Sequence, residues 1–151
     1  MGYIQDIRKK IGHDPTFMPA SACLIIKDNK VLLQHRTDNG RWAVHGGGLE
    51  FGESFEDALN RELSEELGIK AINPKFYKVY SGEDLHVTYP NKDEVYVVTA
   101  MYIVNDYEGE ITPDNDEVSE VKWFDFDNLP EDLHLPDIRP INEIIKYLKN
   151  E

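Results

Sequence analysis

Positive charge is scarce in this chain: 16 Lys and Arg stand against 29 Asp and Glu in 151 residues, a formal net charge of −13 at pH 7. A long nucleic-acid groove needs clustered Lys and Arg to displace counterions from the phosphate backbone, so no such partner is expected. Cysteine is scarcer still. The single Cys23, inside the apolar run Ala22-Cys23-Leu24-Ile25-Ile26, cannot close an internal disulfide, which fits a reducing compartment. No run approaches the roughly 18 uninterrupted apolar residues of a membrane span, and the first ten residues lack the apolar core of a secretory signal. The expectation is a soluble, cytoplasmic protein with no membrane partner. Internal repeats and low-complexity segments are also missing.

What is present suffices for one core: 40% of residues are hydrophobic, and 11% are aromatic. Residues 1–151 read as a single domain, with 1–14 as an N-terminal helical extension in which Ile4, Ile7 and Ile11 recur at helical spacing. Pro15 and Pro19 mark residues 13–19 as a linker. Strands are expected over residues 20–27, 31–36, 41–44, 76–80, 85–89, 94–104 and 120–124, with Asp28-Asn29 as a hairpin turn. A closing helix over residues 138–148 places Ile141, Ile144, Ile145 and Leu148 on one face. Strands, a helix, more strands and a last helix, without regular βαβ alternation, describe an α+β fold with a mixed sheet.

The most informative stretch runs over residues 47–69. It reads Gly47-x5-Glu53-x7-Arg61-Glu62-Leu63-x-Glu65-Glu66-x-Gly68-Ile69 and follows a glycine run, Gly46-Gly47-Gly48. On a helix, Glu62, Glu65 and Glu66 at i, i+3 and i+4 share one face. Like charges so placed destabilise an isolated helix by a few tenths of a kcal/mol per pair. A hard divalent cation such as Mg²⁺ or Mn²⁺ would relieve that repulsion. Gly68 suits the left-handed position that ends a helix. Arg61 is placed to hold the Glu53 carboxylate with its guanidinium fork. The glycine run is either a plain turn or a place where backbone approaches a metal or phosphate closely.

These residues resemble the Nudix box, Gly-x5-Glu-x7-Arg-Glu-aliphatic-x-Glu-Glu-x-Gly-aliphatic, and every specified position is filled. The resemblance implies an α/β/α sandwich and metal-dependent hydrolysis of a diphosphate bond in a small nucleoside diphosphate derivative. Residue by residue it implies Glu62, Glu65, Glu66 and Arg61 as catalytic, with Glu62, Glu65, Glu66 and the Gly46 carbonyl as metal ligands. Glu53 and Gly68 would be structural. Glu62 is either a ligand or the base that deprotonates water, and Glu117 and Glu120 are the later-loop alternatives for that base. Glu50 resembles a further acidic position of the family, or is a solvated loop residue. His45 stands where many members have proline, as a ligand contact or a tolerated turn residue. Family habit suggests a homodimer.

Substrate-binding candidates are Arg36 and Arg41 for phosphate, Gly47 for close backbone approach, and Tyr80 and Tyr89 for base stacking, although strand aromatics such as Phe76, Tyr96, Trp123 and Phe124 are more often core. His86 is a ligand contact or a satisfied sheet residue. The proline or tyrosine that marks some subclasses after the box falls here on Asp84 and near His86, which match neither. A non-catalytic nucleotide-binding module and an RNA 5′-pyrophosphohydrolase are the alternative functions, the first disfavoured by the intact box and the second by the net charge.

Overall fold

A computed structural model of the chain describes residues 2–114, 116 and 118–150. In chain order the elements are α1 (Tyr3–Ile11), β1 (Thr16–Lys27), β2 (Lys30–Arg36), β3 (Trp42–Ala43), β4 (His45–Gly48), α2 (Phe55–Leu67), β5 (Lys70–Ala71), β6 (Lys75–Tyr80), β7 (His86–Thr88), β8 (Glu94–Val104), β9 (Tyr107–Glu108), β10 (Val118–Asp125) and α3 (Ile138–Lys149). The main path of the sheet is β10-β2-β1-β8-β6, with β3, β4 and β7 paired to β2, β1 and β8. The pairing of β1 with β8 is parallel and the others are antiparallel, so the sheet is mixed.

Alternation along the central strands sends side chains to two separate cores. Cys23, Ile25, Leu32 and Tyr102 meet Leu59, Leu63 and Leu67 of α2 on one face, while Leu24, Leu33, Met101 and Ile103 meet Ile141, Ile144 and Ile145 of α3 on the other. This is an α+β fold in the α/β/α sandwich arrangement. Leu59, Leu63 and Leu67 fall at i, i+4 and i+8, and each is fully buried. Burial of such a side chain stabilises by about 1.5–3 kcal/mol, which sets α2 firmly on the sheet.

Local chemistry explains where α2 begins and ends. The Ser54 hydroxyl accepts from Asp57 N at 3.0 Å, and Ser54 N donates to the Asp57 carboxylate at 3.3 Å, a reciprocal cap. Gly68 closes the helix at φ 71°, its N–H reaching back to Leu63 and Ser64 carbonyls. The hairpin between β1 and β2 turns at Asp28 and Asn29, both at positive φ, as the primed turns require.

Several segments differ from the sequence expectation. Residues 16–19 are not linker: β1 begins at Thr16, and Pro19 stays in the strand, aligned with Val98 in the parallel register where the β4 ladder stops. The strand expected over 85–89 starts as a 3₁₀ turn at Glu83–Leu85 and leaves only His86–Thr88 extended. The two-residue strands β5 and β9 pair with each other apart from the main sheet and are too short for any periodicity to reveal. The glycine run is not a turn but most of strand β4: Gly46 lies so close to β1 that a Cβ would meet the Ser21 carbonyl, and Gly47 and Gly48 continue the ladder.

Candidate active site

The N-terminal half of the box supplies a braced loop. Arg61 donates from Nε to Glu53 Oε2 at 2.6 Å and from Nη2 to Glu53 Oε1 at 3.0 Å, a bidentate pair, and Nη2 also reaches the Gly48 carbonyl at 2.9 Å. Glu50 N–H donates to the same Glu53 carboxylate at 2.8 Å. The Arg61 guanidinium holds the Glu53 carboxyl below its ordinary range. Through Nη1, Arg61 also contacts Glu62 Oε1 at 2.9 Å and Glu65 Oε2 at 3.4 Å. One cation therefore partly offsets the repulsion among the carboxylates and ties the helix to the loop before it.

Two of the three carboxylates reach a common cleft. A cavity of about 470 Å³ is lined by Gly46, Gly47, Glu62 and Glu66 at one end, and Arg36 also faces it. Glu66 is only 6% exposed, and its Oε1 accepts from Gly46 N at 3.2 Å. Glu65 does not line the cleft; its side chain is 60% exposed on the neighbouring flank of α2. Spacing at i+3 and i+4 puts the three residues on one side of the helix, but only the two nearest the sheet turn inward.

The glycines have separate duties. A Cβ on Gly46 would lie 2.2 Å from the Ser21 carbonyl oxygen, so this residue, at φ 152°, is required by the backbone of β1. A Cβ on Gly47 would lie 2.5 Å from the Glu62 carboxylate, so Gly47 preserves the space that this carboxylate occupies. Mg²⁺ and Mn²⁺ take hard oxygen donors, and Mg²⁺ is commonly held by one or two carboxylates with water and substrate phosphate completing the shell. Glu62, Glu66 and the Gly46 backbone at one mouth match that donor set. Among the described residues no three His, Cys, Asp or Glu side chains form a cage by themselves.

The structure separates the remaining candidates. Arg36 lines the cleft with its guanidinium on Asp38 at 2.6 and 2.8 Å, a bond that raises its pKa further. Tyr89 lies close enough to sense the Arg36 and Asp38 charges, but burial is the larger influence on its hydroxyl, and it does not line the cleft. Tyr80 is a core residue, 1% exposed, donating its hydroxyl to Glu143 at 2.8 Å. Arg41 donates to the Leu133 carbonyl at 3.2 Å and does not line the cleft. Glu120 points to solvent from β10, and Glu117 lies outside the described residues. Glu50 is engaged by Tyr3 N at 2.8 Å, which docks α1 on the box loop.

His45 is neither ligand contact nor turn residue. It is fully buried in β4, bonded through Nε2 to the Leu32 carbonyl at 3.2 Å, and burial lowers its pKa to about 4. His86 stacks on Tyr96 and bonds Glu94 at 2.8 Å; Trp123 and Phe124 pack partly buried against the two cores, whereas Phe76 is not core but 53% exposed, meeting Tyr102 edge-on at the outer strand β6.

Sequence reasoning missed Gln34, Thr99 and Asp137, which line the inner part of the cleft. The signal was there for two of them. Gln34 interrupts the apolar run Val31-Leu32-Leu33, and Thr99 interrupts Val97-Val98 and Ala100-Met101, in strands otherwise fit for full burial. Asp137 reads as an ordinary helix cap and gave no such sign.

Comparison with known proteins agrees with this construction. The Nudix domain model matches residues 16–144. The chain is 32% identical over 139 residues to the NAD-capped RNA hydrolase NudC of Vibrio atlanticus, covering 90% of this chain and 45% of that protein. It is 35% identical over 111 residues to the ADP-ribose pyrophosphatase of Methanocaldococcus jannaschii, covering 71% of this chain and 61% of that protein. The chain thus spans less than two thirds of the length of either relative. The crystal structure of a MutT Nudix hydrolase from Burkholderia pseudomallei matches with a TM-score of 0.73 at 25% identity, covering 87% of this chain and 98% of that one. Box, sandwich and sequence match coincide on the same residues, and the chain belongs to the Nudix family of MutT-like hydrolases.

Proposed function

We propose that the protein hydrolyses a diphosphate bond in a small nucleoside diphosphate derivative, using Mg²⁺ or Mn²⁺. The observation that carries this reading is the convergence of Glu62, Glu66, Gly46 and Gly47 on one mouth of the cleft. Nudix hydrolases as a family use divalent metal ions, and the named relatives act, by their names, on NAD-capped RNA and on ADP-ribose. A bound divalent ion supplies charge neutralisation for an anionic phosphoryl group under attack by water. Glu62, Glu66 and the Gly46 carbonyl would hold it, with Glu65 adding a carboxylate from the exposed flank of α2.

The protein's own groups have the following parts. Arg61 orients Glu62 and anchors the loop at Glu53, so its contribution to turnover is indirect. Glu62 is either a ligand or the group that takes a proton from water; Glu117 and Glu120 remain the alternatives for the second part. Arg36, on the lining of the cleft, meets phosphate, and Gly47 contributes to substrate binding by keeping Glu62 in place beside it. Gly68 and Glu53 hold the frame.

Residues 1–151 are taken as one Nudix domain, in which residues 1–14 form a helical extension outside the matched region. Among the described residues no helix is long and apolar enough to cross a membrane. A cytoplasmic homodimer acting on small nucleotides rather than long nucleic acid completes the reading, and a monomer by light scattering would remove its last part. The test of the activity is a panel of nucleoside diphosphate sugars, dinucleoside polyphosphates and nucleoside triphosphates with Mg²⁺ or Mn²⁺, with products identified. Tight binding without turnover across the panel would overturn the hydrolase reading in favour of a nucleotide-binding module.

A further inference from the structure

The inner wall of the cleft carries polar atoms that find no partner among the described residues. Gln34 and Thr99 are each 5% exposed and both line the cleft, yet Gln34 Oε1 and Thr99 Oγ1 make no hydrogen bond to any described residue. Leaving such atoms buried and unmet is costly, and native interiors keep few of them. The Gln34 amide cannot simply be reversed. Its Nε2 donates to the Val44 carbonyl at 3.0 Å, which leaves the oxygen as the atom without a partner.

Asp137 grips the other side of the same residue, accepting the Val44 N–H at Oδ2 over 3.0 Å. It stands at the N-terminal cap of α3 but makes no side-chain cap bond there, and its residue lines the cleft instead. Two side chains from distant elements thus meet at Val44 and border the cavity with acceptor oxygens. Met18, Leu85, Val97 and Met101 provide apolar surface beside them.

We propose that Gln34, Thr99 and Asp137 form a specificity subsite that reads the heterocyclic base of the substrate by accepting its N–H donors. The proposal rests on the diphosphate-hydrolase reading above, which places the phosphates toward Glu62 and Glu66. Gln34 Oε1 only accepts, Thr99 can accept or donate, and a carboxylate at Asp137 accepts, so the set is weighted toward acceptors. Apolar neighbours suit the face of a planar ring better than a hydrated sugar. Burial raises the Asp137 carboxyl to about 7, so near neutrality it can also donate to a ring carbonyl. Guanine offers N–H at ring N1 and at the amino group on the neighbouring carbon, uracil on one ring nitrogen and adenine on its amino group; all three fall within the class.

The test compares each nucleotide with its analogue methylated at the donor: N1-methylguanine, N3-methyluracil and N6,N6-dimethyladenine. For the preferred base, methylation lowers kcat/KM at least about tenfold, mainly through KM. Thr99→Val and Gln34→Leu each shrink that difference to within about threefold, because the methylated analogue has already lost the contact the variant removes. Thr99→Val breaks no hydrogen bond of the free protein, so its melting temperature should fall by no more than about 2 °C, which a structural role for the hydroxyl would not allow. Indifference to methylation in every base, or equal losses on parent and analogue in Thr99→Val, overturns the proposal. Absence of turnover on any substrate counts against the hydrolase reading instead. Calorimetric binding of the same parent and methylated nucleoside diphosphates then decides the subsite, and equal Kd values overturn it.

Discussion

The two ends of the cleft solve opposite problems. At the outer end three glutamates crowd one helix, and the protein answers with Arg61, the Gly46 N–H and a glycine in place of any side chain that would press on Glu62. At the inner end the polar atoms are few and neutral for the most part, and two of them are left unmet. Charges cannot wait for a ligand without some compensation in the free protein, because an uncompensated buried charge is far more costly than an unpaired amide oxygen or hydroxyl. The outer end is therefore braced in advance, while the inner end holds its hydrogen-bonding capacity in reserve.

The largest effect expected is at the carboxylates. Glu66→Gln and Glu62→Gln should each lower kcat by about a thousandfold or more, equivalent to about 4 kcal/mol, with cooperative unfolding retained. Product release measured beside thermal melts checks this, and turnover within tenfold of the parent would dissolve the distinction between the two ends.

Adjacent glycines should fail in different ways. Gly46→Ala drives a Cβ into the backbone of β1 and should cost several kcal/mol of stability, seen as a lowered denaturation midpoint. Gly47→Ala drives a Cβ into the Glu62 carboxylate and should lower kcat about a hundredfold while the fold survives, since misplacement of about 1 Å at a reacting group has that scale. Similar melting temperatures for the two variants would contradict this division.

Arg61→Lys keeps the charge and loses the fork. A drop in kcat of about ten- to a hundredfold, with a change in stability of about 1 kcal/mol, is expected from loss of the bidentate Glu53 contact. Both quantities follow from steady-state kinetics and urea titration of one preparation.

The inner end enters through the pH dependence of stability rather than through turnover. Asp137 is raised in the folded state to about 7 from an ordinary value of 3.8, chiefly by burial, against the Val44 N–H and the Arg36 charge, with Asp38 and His134 also bordering the cleft. Between those values the native state binds the proton that the unfolded chain has released. Its contribution to stability is full below the unfolded pKa and is lost as pH rises toward 7. Asp137→Asn should flatten this slope, so that the melting temperature of the variant relative to the parent rises between pH 5 and pH 8.

Recognition of the box needed no coordinates, because its spacing is a property of one helix and one loop. The cap at Ser54, the stop at Gly68 and the Arg61 to Glu53 pair lie within fifteen residues of one another, where local geometry leaves few choices. The alternation of β1, β2 and β8 and the apolar face of α3 were legible for the same reason: periodicity reports which side of an element is buried. The sequence also carried the carboxylates, the net charge and the polar interruptions at Gln34 and Thr99.

Only the tertiary structure decided which of these residues meet. Gln34, Val44, Thr99 and Asp137 lie on four segments spread over more than a hundred positions, and the sheet, in which β1 joins β2 to β8, together with the bonds of Gln34 and Asp137 to Val44, brings them to the lining of one cleft. The same packing removed Tyr80 and Arg41 from the candidate site, turned Glu65 outward and made a strand of the glycine run. Short-range steric and hydrogen-bonding rules write the helix and its carboxylates into the chain, whereas the inner wall of the cleft depends on contacts between distant segments that no local rule specifies.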